Sequence, residues 1–296
     1  MSFSGKILLT GANGQVGNEI VNLAKNRNLK LYSFTRTQLN ITNLEQIEYV
    51  LATIKPHYII NAAAYTAVDK AEKENKLAFS INSLGVENLA KIAQEYDIPL
   101  LHISTDYIFD GQKKNVYLEE DEAQPLSVYG KSKLSGENLL REIWHKHIIL
   151  RVSWVFGSYG NNFVKTILRL ANERTELRII ADQKGAPTYA GDIAQTLLKI
   201  VKFLYSNQFE WGTYHYTGTP ALSWYEFAKK IIDDAQQLNH LMVKKVIPIA
   251  TLDYPSIALR PANSELSCDR ITRVFDIKPN NWFLGLKKVV KSYYGI

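Results

Sequence analysis

Hydrophobic and polar positions follow two alternating periods along the first half of the chain. After the first apolar run, Val16, Ile20 and Ala24 recur at helical spacing, and Thr42 with Glu45 forms a capping box that predicts the start of a second helix. Short apolar runs typical of buried β-strands separate such helical stretches. These runs are Lys6–Thr10, Leu29–Phe34, Tyr58–Ala62, Pro99–Ser104 and Ile148–Val155.

Repeated strand–helix–strand units with apolar strands indicate a parallel sheet that is covered on both faces. Right-handed crossovers make this an α/β fold with a doubly wound, Rossmann-type sheet, which we assign to residues 1–156. Beyond residue 156 the pattern loosens. It predicts a helix over 162–172, a strand over 177–180, a helix over 192–204, a strand over 213–217 and a helix from Ser223. We therefore predict a smaller, mixed α/β substrate-binding region.

This C-terminal region is not expected to be one continuous segment. We assign residues 157–185 and 220–296 mainly to it, and we expect residues 186–219 to return to the main domain. A fold of this kind binds its ligands at the carboxyl edge of the sheet, so the two parts should meet there.

Composition narrows the class of protein further. The chain has 296 residues, of which 46% are hydrophobic, and a net charge of +6 from scattered lysines and arginines. Its single cysteine excludes a disulfide framework and cysteine-based metal sites, and it fits a reducing compartment. The mild charge argues against a nucleic-acid partner. With no apolar run near ~18 residues and no signal-type N-terminus, we expect no membrane association and a cytoplasmic protein.

A glycine-rich loop lies between the first strand and the first helix. Gly11, Gly14 and Gly17 have the spacing G-x-x-G-x-x-G, with Gln15 and Val16 between the last two. Such glycines allow a tight turn, a close approach of the backbone to a pyrophosphate and close helix–strand packing. The helix N-terminus then offers N–H groups to the phosphates. In this context the loop predicts a dinucleotide site, whereas its alternative is a turn with a structural role only.

The residue that follows the second strand bears on the choice of cofactor. An NAD site usually has an acidic residue there for the ribose hydroxyls, and this chain has Arg36. Because a guanidinium group can bind a 2′-phosphate, we predict NADPH as the preferred cofactor, with NADH as a second possibility. A solvated surface arginine is the alternative interpretation of Arg36.

Two polar clusters suggest the chemistry. Tyr129 and Lys133 are four residues apart at the start of a helix, so they share one helical face. A phenol has an ordinary pKa near ~10, and a neighbouring ammonium group lowers it, which would make the tyrosine a usable proton donor. Thr105 follows the fourth strand, where its hydroxyl can bond to a substrate oxygen beside the tyrosine.

In this order, the glycine loop, the Ser104–Asp106 triplet and the Tyr129-x-x-x-Lys133 helix resemble the extended short-chain dehydrogenase/reductase superfamily, which acts on nucleotide sugars. More of the chain resembles one branch, the dTDP-4-dehydrorhamnose reductase family. The segments that carry this resemblance are 61–72, 104–111, 128–131, 151–156, 160–163, 185–188 and 260–264.

The resemblance implies reduction of the 4-keto group of dTDP-4-dehydro-β-L-rhamnose, the last step of dTDP-L-rhamnose synthesis. It implies that Tyr129 protonates the developing alkoxide, that Lys133 tunes Tyr129 and holds the nicotinamide ribose, and that Thr105 orients the carbonyl. The positions that match the family's substrate contacts are Asp106, Trp154 and Arg260. Matched positions for the cofactor are Gly14, Gln15, Val16, Ala63, Ala64, Tyr65 and Thr66.

The chain departs from the family pattern in two places. Where the family commonly has an aspartate near the adenine, this chain has Asn40 followed by Ile41, and the asparagine can still hydrogen-bond an adenine edge. Some members form dimers bridged by magnesium through glutamates. Glu19 matches one such position, but no matching acid follows the Gly185–Thr188 segment. We assign no metal ligand, and Mg²⁺ and a homodimer stay open.

Two alternative functions fit parts of the pattern. Another extended short-chain enzyme, such as a nucleotide-sugar epimerase or dehydratase, would share the fold, but a dehydratase is expected to have more acid groups beside the strand-four Ser-Thr pair. A non-catalytic regulatory subunit would bind the dinucleotide and a partner enzyme. The presence of Thr105, Tyr129 and Lys133 together argues against that class.

Overall fold

The computed structural model describes residues 5–205 and 210–296. Residues 1–4, part of the N-terminus used to predict the lack of a signal peptide, and 206–209, within the segment expected to return to the main domain, lie outside the described residues. The strands are β1 (Lys6–Thr10), β2 (Lys30–Phe34), β3 (Tyr58–Asn61), β4 (Leu100–Thr105), β5 (His147–Val152), β6 (Val155–Phe156), β7 (Glu176–Ile180), β8 (Lys184–Gly185), β9 (Thr188–Tyr189), β10 (Gly212–His215), β11 (Leu222–Ser223) and β12 (Lys245–Ile249).

Eleven α-helices connect the strands within the described chain. They are α1 (Gln15–Asn26), α2 (Leu44–Ile54), α3 (Val68–Ala71), α4 (Asn75–Phe79), α5 (Gly85–Glu95), α6 (Val128–Ile143), α7 (Phe163–Glu173), α8 (Ala190–Leu204), α9 (Trp224–Gln236), α10 (Asp269–Phe275) and α11 (Phe283–Tyr294). A π-helical turn, Ser80–Leu84, joins α4 to α5, and 3₁₀ turns occupy Asp106–Ile108 and Thr251–Asp253.

The central sheet has six parallel strands in the order β10-β5-β4-β3-β1-β2. One face is covered by α1, α8 and α10, whose apolar residues pack in one core with β1, β5 and β10. The other face is covered by α2, α5 and α6, which form a second core with the same sheet. The predicted doubly wound, Rossmann-type fold is therefore confirmed.

A smaller region lies beyond the carboxyl edge of this sheet. Its core is formed by α7, α9 and α11, which pack around Phe156, Phe227 and Trp282. Strands β7 and β12 pair in parallel beside these helices. The sequence did not predict β12, because Pro248 argues against a strand, but a two-stranded sheet has only edges and tolerates a proline there.

Two local predictions were wrong. Asn43, not Thr42, caps α2, and its side-chain oxygen accepts from the Gln46 amide at 3.0 Å. The Thr42 hydroxyl is instead bonded to the side-chain oxygen of Asn40 at 3.0 Å, within the preceding turn. Competition of this kind between short polar side chains is what makes a cap ambiguous in the sequence.

The predicted single strand over Ile148–Val155 is broken in the structure. β5 ends at Val152, and Trp154 has a φ of 45°, in the left-handed region that large side chains rarely adopt. The chain then leaves the main sheet, because β6 pairs with β9 instead. This turn directs the Trp154 ring toward the smaller region, where it contacts Trp224.

A buried ion pair fixes α6 to the central sheet. The Glu137 carboxylate is fully buried and accepts from Arg151 on β5 at 2.8 Å, and Arg141 binds the same carboxylate from the next helical turn. Burial raises the pKa of Glu137, but the two guanidinium groups outweigh it and lower the pKa to about 2. The carboxylate therefore stays ionised at neutral pH. Its stabilising contribution is lost only as pH falls from the ordinary pKa of a glutamate toward 2.

Replacement of Glu137 by glutamine should cost about 3–5 kcal/mol of unfolding free energy, because it leaves the buried Arg151 without a counter-charge. Urea denaturation at neutral pH measures this loss. The matched control is Glu173→Gln, which removes an exposed pair with Arg169 and should cost less than about 1 kcal/mol. Equal, small losses in both variants would show that the buried pair does not hold the helix.

Candidate active site

The carboxyl ends of β1, β3, β4 and β5 open onto two adjoining cavities. The first has a volume of about 330 Å³ and the second about 470 Å³. Both are bordered by Gly14, Ala62, Ala64 and Thr66, which belong to the loops after β1 and β3. The arrangement is an elongated cleft at the sheet edge, as expected for a dinucleotide beside its substrate.

The first cavity is built around the glycine loop. Gly11 has a φ of +70°, and a Cβ atom on Gly17 would lie 2.2 Å from the Gly11 carbonyl oxygen, so neither position accepts a side chain without movement. Gly14 precedes α1 without a side-chain cap, which leaves the helix N–H groups available to an anion. The predicted cofactor residues that line this cavity are Gly11, Gly14, Arg36, Asn40, Ile41, Ala63, Ala64, Tyr65 and Thr66.

The second cavity brings the predicted chemical groups together. Its lining includes Thr105 from the end of β4, and Tyr129 and Lys133 from α6. Gln15 and Val16 border it from the glycine loop. Asp106 and Trp154, which were predicted to contact substrate, are also in its wall. Gly17 lies behind this surface and is buried.

Tyr129 is buried and packs edge-on against the Tyr107 ring, with 5.7 Å between the ring centroids. Burial raises the pKa of Tyr129 to about 12, and the nearby Asp106 carboxyl adds to this rise, whereas the Thr105 hydroxyl opposes it. The phenol is therefore protonated at neutral pH. Tyr107 was not among the predicted site residues, because an aromatic residue next to a buried strand is usually core.

Lys133 is 2% exposed, and its Nζ atom does not interact with the phenol in this structure. It lies 3.1 Å from His102 Nε2 and donates to the Ile103 carbonyl oxygen at 2.7 Å. Burial lowers the pKa of Lys133 to about 8, although the Glu137 carboxylate acts in the opposite direction. The expected lowering of the Tyr129 pKa by Lys133 is thus not seen, because the lysine Nζ atom is bonded to groups of β4 instead.

Asp106 is the third buried titratable group of the cavity. Its Oδ1 atom accepts from the Thr105 hydroxyl at 3.0 Å, and its Oδ2 atom is buried without a hydrogen-bond partner among the described residues. Burial raises the pKa of Asp106 to about 7. An unpartnered buried carboxyl oxygen that borders a cavity is suited to bind a hydroxyl group of a ligand.

A pair of stacked indoles separates the second cavity from a third. The rings of Trp154 and Trp224 lie 3.4 Å apart and almost parallel, at 6°. A Cβ atom on Gly185 would lie 2.4 Å from the Trp154 ring, so this glycine leaves room for the stack. Trp224 starts α9, far from Trp154 in the sequence, and no local pattern identified it as a site residue.

The third cavity, of about 650 Å³, lies between α7 and β7, and it contains Arg174, Arg178 and Arg260. Arg260 was predicted to contact the substrate. The structure places it in this cavity and not in the second one, and its guanidinium group donates to Asp69 at 2.7 Å. The ion pair connects α3, beside the cofactor cavity, with the loop that precedes Pro261.

The remaining predictions concern metals and membranes. Within residues 5–205 and 210–296, no three His, Cys, Asp or Glu side chains are grouped so as to hold a metal ion. Glu19 instead accepts from the Tyr189 hydroxyl at 3.1 Å, and burial raises the pKa of its carboxyl. None of the described helices has the length and apolar character that a membrane crossing requires.

Comparison with known proteins decides the family. Residues 5–294 match the family model described as RmlD substrate binding domain. The chain belongs to the dTDP-4-dehydrorhamnose reductase family. A curated family member from Aggregatibacter actinomycetemcomitans is 47% identical over 287 residues, with 96% of this chain and 98% of the relative covered. The Escherichia coli K12 reductase is 39% identical, with 97% and 98% covered.

Solved structures of dTDP-4-dehydrorhamnose reductases have the same fold. The enzyme from Bacillus anthracis, solved in complex with NADP, superimposes with a TM-score of 0.89 at 38% identity, covering 97% of this chain and 99% of that one. The resemblance that the sequence motifs suggested is therefore confirmed over nearly the whole chain.

The raised pKa of Asp106 predicts a specific pH dependence of stability. Folding favours the protonated form of Asp106. The contribution of this residue to the free energy of unfolding is therefore fully present below about pH 4 and is lost as pH rises through 7. Between these limits the wild type should lose about 4 kcal/mol relative to Asp106→Asn, which does not titrate. Urea denaturation of both proteins across this pH range measures the difference.

The control for this experiment is Asp233→Asn, an exposed aspartate on α9, which should follow the wild type at every pH. Parallel stability curves for the wild type and Asp106→Asn would contradict the prediction. Such a result would mean that Asp106 is ionised in the folded protein throughout this range.

Proposed function

We propose that this protein reduces dTDP-4-dehydro-β-L-rhamnose to dTDP-β-L-rhamnose with NADPH. The observation that carries the proposal is the second cavity, in which Thr105, Tyr129 and Lys133 border the same space as the glycine loop. Family membership supports the same reaction, since the relatives described above are dTDP-4-dehydrorhamnose reductases.

The fit of the first cavity supports a dinucleotide. The N–H groups at the start of α1 face the space beside Gly14, where a pyrophosphate would bind. Arg36 is exposed at the rim of the cavity, where its guanidinium group can bind a 2′-phosphate, and Asn40 with Ile41 borders the adenine end. When bound, NADPH supplies the hydride. We propose NADH as a weaker alternative.

Side chains of this protein would supply the proton that the reduced carbonyl oxygen takes up. Since the Tyr129 phenol is neutral at physiological pH, it can give its proton to the oxygen on which negative charge develops. The Thr105 hydroxyl, beside the phenol, orients the same oxygen, and the Asp106 carboxyl binds a sugar hydroxyl. Lys133, in the wall of the same cavity, holds the nicotinamide ribose. Donors fixed where charge develops stabilise the transition state more than the ground state.

We assign the nucleotide end of the substrate to the third cavity. Its wall combines the indole of Trp224 with the guanidinium groups of Arg174, Arg178 and Arg260, a set suited to a base and a diphosphate. In this proposal residues 157–185 and 220–296 bind the substrate, and residues 1–156 with 186–219 bind the cofactor. A homodimer in the cytoplasm stays a prediction.

A coupled assay tests the proposal. The substrate is generated enzymatically from dTDP-glucose, and oxidation of the reduced nicotinamide is followed by absorbance with NADPH and with NADH. We expect consumption with both cofactors, faster with NADPH, and dTDP-L-rhamnose as the product. Tight NADPH binding without consumption would favour another nucleotide sugar or a regulatory subunit and would overturn the proposed reaction.

Tyr129→Phe should lower turnover about 10²–10⁴-fold, because the variant lacks the proton donor but keeps the ring packing. NADPH binding, measured by fluorescence titration, should be unchanged. Tyr96→Phe, at an exposed tyrosine outside the cavities, is the matched control and should retain wild-type turnover. Wild-type turnover in the Tyr129 variant would remove the phenol from the mechanism.

A further inference from the structure

A chain of buried polar side chains runs beneath the active site from β1 to α6. The Thr10 hydroxyl donates to Asn61 Oδ1 at 2.7 Å, Asn61 Nδ2 lies 3.0 Å from His102 Nδ1, and His102 Nε2 lies 3.1 Å from Lys133 Nζ. All four residues are at most 2% exposed. The first two end strands whose following loops line the cofactor cavity, so the chain connects these loops to Lys133.

The orientation of the Asn61 amide follows from its neighbours. The backbone N–H of Ala63, which can only donate, lies 3.1 Å from Asn61 Oδ1. The oxygen must therefore face Ala63 and Thr10, and the NH₂ group must face His102. Because an amide NH₂ is a donor, His102 Nδ1 has to be the acceptor of this hydrogen bond.

This bond selects one tautomer of His102. Complete burial lowers the pKa of His102 well below its ordinary value, so the ring is neutral. A neutral imidazole with an accepting Nδ1 carries its proton on Nε2. That N–H group faces Lys133 Nζ, where an ammonium group would find no acceptor. An uncharged amine can accept this proton while it donates to the Ile103 carbonyl oxygen at 2.7 Å.

We propose that His102 is a positioning residue that links the protonation state of Lys133 to the geometry of the two cofactor loops. With Ala63 bonded to Asn61, the Nε2–H tautomer holds Lys133 as the amine. An ammonium group at Lys133 requires the Nδ1–H tautomer, and Asn61 can accept from that tautomer only by turning its oxygen away from Ala63. Protonation of Lys133 therefore breaks the hydrogen bond between Ala63 N–H and Asn61 Oδ1 in the loop after β3.

The charged and titratable groups around this pair act on it from two elements, α6 and β5. Glu137 on α6 favours the ammonium form of Lys133, but it is itself paired with Arg151 on β5 and Arg141 on α6. His147 on β5 and Arg141 both oppose a positive charge at His102. The hydrogen-bond constraint from Asn61 acts in addition to these charges and is the part that depends on the loops.

The tautomer can be observed directly, without activity. Long-range ¹H–¹⁵N spectra of the ¹⁵N-labelled protein distinguish a protonated Nε2 from a protonated Nδ1, and His102→Gln assigns the signals. Above about pH 8, where Lys133 is mainly the amine, we expect neutral His102 with its proton on Nε2, and below that pH we expect the proton on Nδ1. A tautomer that does not change between about pH 6 and 10 would overturn the proposal. This measurement is made on the native protein and does not depend on the proposed reaction.

A kinetic test rests on the proposed function and is read from a pH profile. In His102→Gln the amide oxygen can turn toward Lys133 and accept from an ammonium group, which raises the lysine pKa. We expect the alkaline limb of kcat/KM to move up by about one pH unit. His240→Gln, at an exposed histidine, should leave the limb in place.

The proposal would be overturned if folded His102→Gln has a lower kcat/KM but the same alkaline limb as the wild type. His102 would then have a packing role only. Circular dichroism establishes folding of the variants. If the wild type itself does not turn over the proposed substrate, the proposed function fails, and the NMR measurement still decides the tautomer.

Discussion

The close approach of α6 to its neighbours is the constraint on which the active site depends. A Cβ atom on Gly130 would lie 2.2 Å from the Tyr107 carbonyl oxygen, and one on Gly136 would lie 2.0 Å from the Asn82 carbonyl oxygen. The buried Glu137 adds an ion pair to β5. Since this helix carries both Tyr129 and Lys133, any substituent that lifts it would displace both side chains from the cleft by the same movement.

Burial by the same packing has a common effect on the titratable groups of the cleft. It raises the pKa of Tyr129 and Asp106 and lowers that of Lys133, so in each case the uncharged form is favoured. Burial of these groups away from water lowers the effective dielectric constant around them. Negative charge that develops on a substrate oxygen then interacts strongly with the few donors that point toward it, which suits a reduction that ends in proton transfer.

Features encoded locally could be predicted from the sequence. The sheet follows from the hydrophobic periods, and the cofactor loop follows from Gly11, Gly14 and Gly17, because both depend on neighbouring residues. Contacts between distant segments could not be predicted. Nothing near Trp224 indicates that it stacks on Trp154, and His102 lies within an apolar strand, where the pattern alone predicts a core residue. The position of Arg260 in the third cavity could not be predicted either, because it depends on an ion pair with Asp69, which is remote in sequence.

The Arg260–Asp69 pair is an ion pair that can be exchanged at low energetic cost. Its side chains are 21% and 45% exposed, so the pair contributes only about 0–1 kcal/mol to stability. A guanidinium group binds a phosphate through two parallel, charge-assisted hydrogen bonds, which are stronger than an exposed ion pair. In the proposed function, Arg260 exchanges its carboxylate partner for the diphosphate of the substrate with a net gain. The buried Glu137–Arg151 pair cannot be exchanged in this way, and it serves the fold instead.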